Sequence, residues 1–118
     1  MPAFNINRVF ISGEIADVST ASSVRFPIVD DLAGEVINVS TVLGGAITGA
    51  DAVITVSKGN TSMGTITIAN ASSAEHDVDT LNPTSANRFL SVGDTLELTT
   101  SGASTNAVPV GFIVTIKR

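Results

Sequence analysis

Apolar and polar residues alternate with a period of two along almost the whole chain. In "DAVITVSKGN", Ala52, Ile54 and Val56 fall on one face and Val53, Thr55 and Ser57 on the other. "MGTITIANA" sets Ile66 and Ile68 against Thr65 and Thr67, and "DTLELTT" sets Leu96 and Leu98 against Thr95, Glu97 and Thr99. "GFIVTIKR" turns Phe112, Val114 and Ile116 inward and Ile113, Thr115 and Lys117 outward. "SVRFPIVDD" places Val24, Phe26 and Ile28 on one face, and "GEVINVSTVLGG" is read with Ile37, Val39 and Leu43 inward. Alternation rich in β-branched residues marks half-buried strands. No window of similar length shows a helical stripe. "SSAEHDVDTLNP" is read as a loop with one helical turn.

Turn-forming residues punctuate these runs: Gly34, Gly44-Gly45, Lys58-Gly59-Asn60, Asn82-Pro83, Gly93-Asp94 and Ser101-Gly102. Seven to eight short strands at this spacing predict an all-β fold, an antiparallel β-sandwich of jelly-roll-like or Greek-key type. "DAVITVSKGNTSMGTITIA" and the closing stretch "VGDTLELTTSGASTNAVPVGFIVTIKR" each predict a hairpin.

Residues 1–12 stand apart from the β-sandwich domain expected over residues 13–118. This first segment brings Phe4, Ile6, Val9, Phe10 and Ile11 ahead of a turn expected at Gly13. Two readings are open. The segment is the first strand of the sandwich, or it is an arm that adds to a neighbour's sheet edge with its phenylalanines as anchors.

Composition narrows the function. The chain has 118 residues, enough for one domain with its own core, and no cysteine for a disulfide or thiolate site. Charged residues are only 14%, and mean hydropathy is +0.39. So sparse a charged surface predicts that part of it is covered by another subunit or a partner. The formal net charge is -5, and the six basic residues are scattered, which argues against a nucleic-acid partner. No run reaches the length of a membrane span. The start "MPAFNINRVFISG" has no basic n-region and no long apolar stretch, which predicts synthesis without export. The sequons at Asn38, Asn60 and Asn70 then have no expected use.

Candidate chemistry is thin. His76, the single histidine, lies beside Glu75, Asp77 and Asp79, but neighbours on a strand point to opposite faces and hard cations need converging oxygens. Asp30-Asp31 reads as a turn and not as a facing acid–base pair. No nucleophile elbow occurs. No catalytic, metal or cofactor residue is expected. A sugar-binding sandwich is the rival binding module, yet the chain has no Trp or Tyr on which a pyranose ring could stack.

One set of pieces resembles a known family. Ala46-Ile47-Thr48 leads to Ala50-Asp51-Ala52, and Gly64-Thr65-Ile66-Thr67-Ile68 follows. Asp77-Val78-Asp79 then precedes Asn82-Pro83-Thr84, with Gly93-Asp94-Thr95 and Thr100-Ser101-Gly102 behind them. Over residues 13 to 116 or so, the chain is similar to small virion proteins of tailed bacteriophages, known as head decoration, cement or head-fibre proteins. The resemblance implies a β-sandwich that assembles as a homotrimer on the outer surface of the capsid, at local three-fold positions. There it would bind the major capsid protein and brace adjacent capsomers. Phe4, Ile6, Val9, Phe10 and Ile11 are the expected capsid contacts. The alternative is a fibre module that binds a host receptor or glycan through the loops 101–107 and 74–82.

Overall fold

The computed structural model describes residues 7–118. It contains nine strands: β1 (Arg8–Ile15), β2 (Ser22–Pro27), β3 (Gly34–Leu43), β4 (Ala52–Lys58), β5 (Thr61–Ile68), β6 (Val78–Leu81), β7 (Phe89–Leu90), β8 (Thr95–Thr100) and β9 (Val110–Lys117). Short 3₁₀ turns cover Asp30–Leu32 and Ala86–Arg88. All pairings are antiparallel. One sheet runs β1-β9-β3-β6, with β7 pairing the other end of β3, and the second runs β2-β8-β4-β5. With the two-residue β7 set aside, the strands fall as first–eighth–third–sixth and second–seventh–fourth–fifth. That is the jelly-roll order. The count exceeds the expected seven to eight by one because β6 and β7 are short strands without an alternating pattern of their own.

The inward positions read from the alternation form the core. Ile54, Val56, Ile66, Ile68, Leu96, Leu98, Phe112, Val114 and Ile116 are all buried between the sheets. The Phe26 and Phe112 rings meet edge to face, with centroids 5.8 Å apart and planes at 72°, and so join one sheet to the other. Gly13 is not a turn. It sits within β1, opposite Phe112. A Cβ there would lie 2.8 Å from Cζ of that ring, so the missing side chain is where the ring fits.

Three further expectations are corrected. Ile37 is half-buried, and Val36 takes the core position. The register against β9 passes from Val36↔Ile116 to Asn38↔Thr115, so Ile37 is the extra residue of a β-bulge and the alternation changes phase there. The stretch around His76 forms no helical turn. Ser72 and His76 take positive φ (59° and 77°), and the chain then enters β6. The last two strands do not form a hairpin, because β8 lies in one sheet and β9 in the other. The segment 101–109 is an arch over the end of the sandwich, held by Thr105 N–H to Thr48 C=O (3.0 Å) and Val18 N–H to Val108 C=O (2.9 Å). "DAVITVSKGNTSMGTITIA" is a hairpin as expected, with Gly59 at φ 58° in its turn.

Gly34 opens β3 at φ 157°, and a Cβ on it would lie 2.4 Å from the Lys117 carbonyl oxygen. That oxygen is backbone and cannot swing aside. Gly34→Ala should therefore destabilise the fold by about 2 kcal/mol or more, read as a lower midpoint in chemical denaturation.

Candidate interaction surfaces

Strand register assigns every outward residue of the β1-β9-β3-β6 sheet to a row. Arg8, Lys117, Glu35 and Phe89 lie side by side at one end. Phe10, Thr115 and Asn38 follow, then Ser12, Ile113, Ser40 and Thr80, then Glu14, Gly111, Val42 and Val78. The apolar members form a diagonal from β1 to β6. Phe10 is 65% exposed, Ile113 49%, Val42 42% and Val78 65%. No charged side chain lies between them. Gly111 leaves a shallow hollow of about 360 Å³ beside Val42, Val78 and Ile113. Isolated exposed apolar residues are ordinary, but several on one sheet face with no charge among them mark a candidate contact surface.

The expected capsid contacts are divided by the strand. Val9 and Ile11 turn toward the core, where Ile11 is 7% exposed and Val9 packs on the buried cluster. Phe10 faces outward. Phe4 and Ile6 lie outside the described residues. Residues 8–12 pair with β9 as the first part of β1, and the strand continues unbroken to Ile15. Ile113 was legible as outward from its place in "GFIVTIKR". Val42 was legible as well, since reading Val39 and Leu43 inward puts it outward, but Val78 was not, since it belongs to a strand that has no alternating run.

The outer face of the second sheet is different. Ser23, Thr99, Thr55 and Thr65 form one row across it, and the Ser23 and Thr99 hydroxyls bond at 2.8 Å. Arg25 pairs with Glu97 in the neighbouring row. This face is hydroxylated and nearly neutral.

Charge is sorted along the strands. The loops 16–21, 44–51, 69–77 and 101–109 gather at one end. Glu14, Asp17, Asp51, Glu75, Asp77 and Asp79 lie at or beside that end, and no lysine or arginine does. The opposite end holds Arg8, Lys58, Arg88, Lys117 and Arg118, offset by Asp30, Asp31, Glu35 and Asp94. There the Arg88 guanidinium bonds Glu35 at 2.7 Å and stacks 4.5 Å from the Phe89 ring centroid. Asp30 and Asp31 sit in a 3₁₀ turn, where the Asp31 side chain is exposed and lies 3.8 Å from Arg118.

The cluster around His76 is open. The His76 side chain is largely exposed, 3.7 Å from Glu75, while Asp77 accepts a bond from the Ala74 N–H (2.9 Å). Among the described residues no three His, Asp or Glu side chains are grouped to hold a metal ion. Asp17 is held below the usual carboxylate range, first by the Ser19 hydroxyl and then by the Ser19 N–H. Asp79 is pushed the other way, first by burial and then by the neighbouring Asp77. Among the described residues no helix is long and apolar enough to cross a membrane. Compared with models of known protein families and with curated proteins, the chain matches none.

Asp79 gives a pH test. Its raised pKa means that the folded state binds the proton more tightly than the unfolded state. Stability is thus lost as pH rises from the ordinary carboxylate value through the raised one. Asp79→Asn should raise the melting temperature at pH 7, and the gain over wild type should shrink to nothing as pH falls below that range.

Proposed function

We propose that the chain is a structural protein of a tailed-bacteriophage virion, which binds the outer surface of the head as a homotrimer and braces adjacent subunits of the major capsid protein. The observation that carries this reading is the diagonal Phe10–Ile113–Val42–Val78 on the outer face of the β1-β9-β3-β6 sheet. It is an apolar contact surface on a rigid jelly-roll frame. The sparse charge, the threonine-covered second face and the resemblance to head decoration proteins support it. A cyclic trimer joins one patch of each copy to a different patch of the next, and the two unlike sheet faces suit that arrangement. A trimer touching several capsid subunits gains avidity from contacts that are individually weak. By binding only the assembled shell it would stabilise that shell by linkage. Phe10 is the outward anchor of the described part of the expected contact set, and Phe4 and Ile6 complete it.

A receptor-binding fibre module is the second reading. One observation favours it. The loop 101–107 and the first part, 74–77, of the stretch 74–82 expected for that role lie at one end, while Val78–Leu81 form β6. The two are joined through the 44–51 loop by Thr105 N–H to Thr48 C=O and by Ile47 N–H to the neighbouring Ser73 hydroxyl (2.9 Å).

The ratio of this chain to the major capsid protein in purified virions, by quantitative mass spectrometry, separates the two. About one copy per capsid subunit is expected for decoration at local three-folds. A handful of copies would turn the assignment to a fibre, and absence from the particle would reject both. Ile113→Asp should cost about 1 kcal/mol of folding stability, the span of strand propensities at a half-exposed central-strand position, and leave the protein folded. The same variant should lose head binding in a sedimentation assay with undecorated capsids. Full binding by a folded Ile113→Asp protein would remove this face from the contact.

A further inference from the structure

Among the described residues strand β1 is the free edge of its sheet, since it pairs with β9 and with no other described strand. It keeps unbroken register over Arg8–Ile15, with no proline and no bulge. Natural edges are generally blunted by proline, bulges, charge or short length, because a straight edge invites another strand.

The direction of its free backbone groups follows from one bond. The Arg118 N–H donates to the Asn7 C=O at 2.7 Å. The register that sets Arg8 against Lys117 puts these two residues opposite each other. In an antiparallel pair, residues that bond across the ladder alternate with residues that do not. Asn7, Val9, Ile11 and Gly13 therefore turn their N–H and C=O toward β9. Arg8, Phe10, Ser12 and Glu14 turn theirs to the open edge.

Those four residues are arranged symmetrically in charge. Arg8 and Glu14 lie at equal distance on either side of Ile11, and neither forms an ion pair among the described residues. We propose that β1 pairs with β1 of a second copy about a two-fold axis at Ile11, extending the sheet across both molecules. Arg8 then faces Glu14 of the other copy, and Glu14 faces its Arg8. Phe10 faces Ser12, and the two Phe10 rings become diagonal neighbours, within reach of aromatic side chains. Both ion pairs and the Phe10 contact lie on the outer face, and Ile11 meets its twin on the core side. The facing pairs are all residues with outward backbone groups, so each exchanges both ladder bonds.

Charge selects this register. A slip by two residues sets Glu14 against Phe10, or Arg8 against Ser12, and loses both ion pairs. A slip by one residue reverses the faces. The inference stands on the strand itself and not on the capsid reading. Within that reading, the same contact would join neighbouring trimers across two-fold positions of the shell.

Sedimentation equilibrium over a concentration series up to about 1 mM chain tests it, that limit corresponding to weak association. The resting species, whatever its copy number, should double in mass reversibly. Arg8→Glu should weaken the doubling about tenfold or more, since it sets like charges opposite each other twice. Arg8→Glu combined with Glu14→Arg should restore it. Ser12→Pro removes an outward N–H that β9 does not use, a position where an edge strand tolerates proline. It should abolish doubling with the melting temperature nearly unchanged. Absence of doubling in the wild type would overturn the proposal and leave the edge to a strand of a different protein. So would doubling that ignores Ser12→Pro, or failure of the folded double variant to recover.

Discussion

The pairing of β3 with β9 is the spine of the molecule. β1 joins its sheet only through β9, and β6 and β7 join only through β3. The inner side of this pair supplies Val36, Val39, Leu43, Val110, Phe112, Val114 and Ile116, all buried. Its outer side supplies Ile113 and Val42, the middle of the apolar diagonal. Core and candidate contact surface are thus two faces of one ladder. The bulge at Ile37 sets which residue goes to which face for the rest of β3. Were Ile37 a regular strand residue instead of a bulge, Val39 and Leu43 would face outward and Asn38 and Ser40 the core.

Most of the fold was legible because burial on one face writes itself into every second residue. β8 and β9 carry that alternation in uninterrupted form, as do β4 up to Val56 and β5 from Gly64 onward, past the bulge at Met63, and their inward residues form the core as read. What was not legible depends on partners distant in sequence. Ile37 reads as an inward strand residue, and only its pairing with β9 reveals the bulge. β6 is four residues with an aspartate at its second position. It is a strand because β3 offers it a ladder, not because its own sequence favours one. The arch over 101–109 and a hairpin loop have the same residue chemistry, and what separates them is the choice of sheet. Gly13 reads as punctuation, yet its role is to make room for a ring about a hundred positions away.

The candidate contact surface was legible in the same partial way. A cluster of apolar residues near the start drew the eye to Phe4, Ile6, Val9, Phe10 and Ile11. Strand geometry keeps only alternate members of such a run on one face, so Phe10 is outward while Val9 and Ile11 belong to the core. The rest of the surface comes from β3, β6 and β9, each contributing one residue that is unremarkable in its local text. Surfaces made by adjacency across a sheet leave no contiguous signal along the chain.

The sorting of charge between the two ends makes the molecule an oriented dipole. Carboxylates crowd the end where the arch closes, and the guanidinium and ammonium groups gather where Arg118 meets Asn7. A charged surface exerts a torque on such an object before any side chain touches it, out to about a Debye length. A negative surface draws the Arg8–Lys117 end inward and holds the loop end away, and a positive one reverses the approach. Added salt shortens the range of that torque, so it slows productive encounters while leaving the apolar contact itself intact. The polarity of the loops thus acts as a compass, governing which way up the chain arrives.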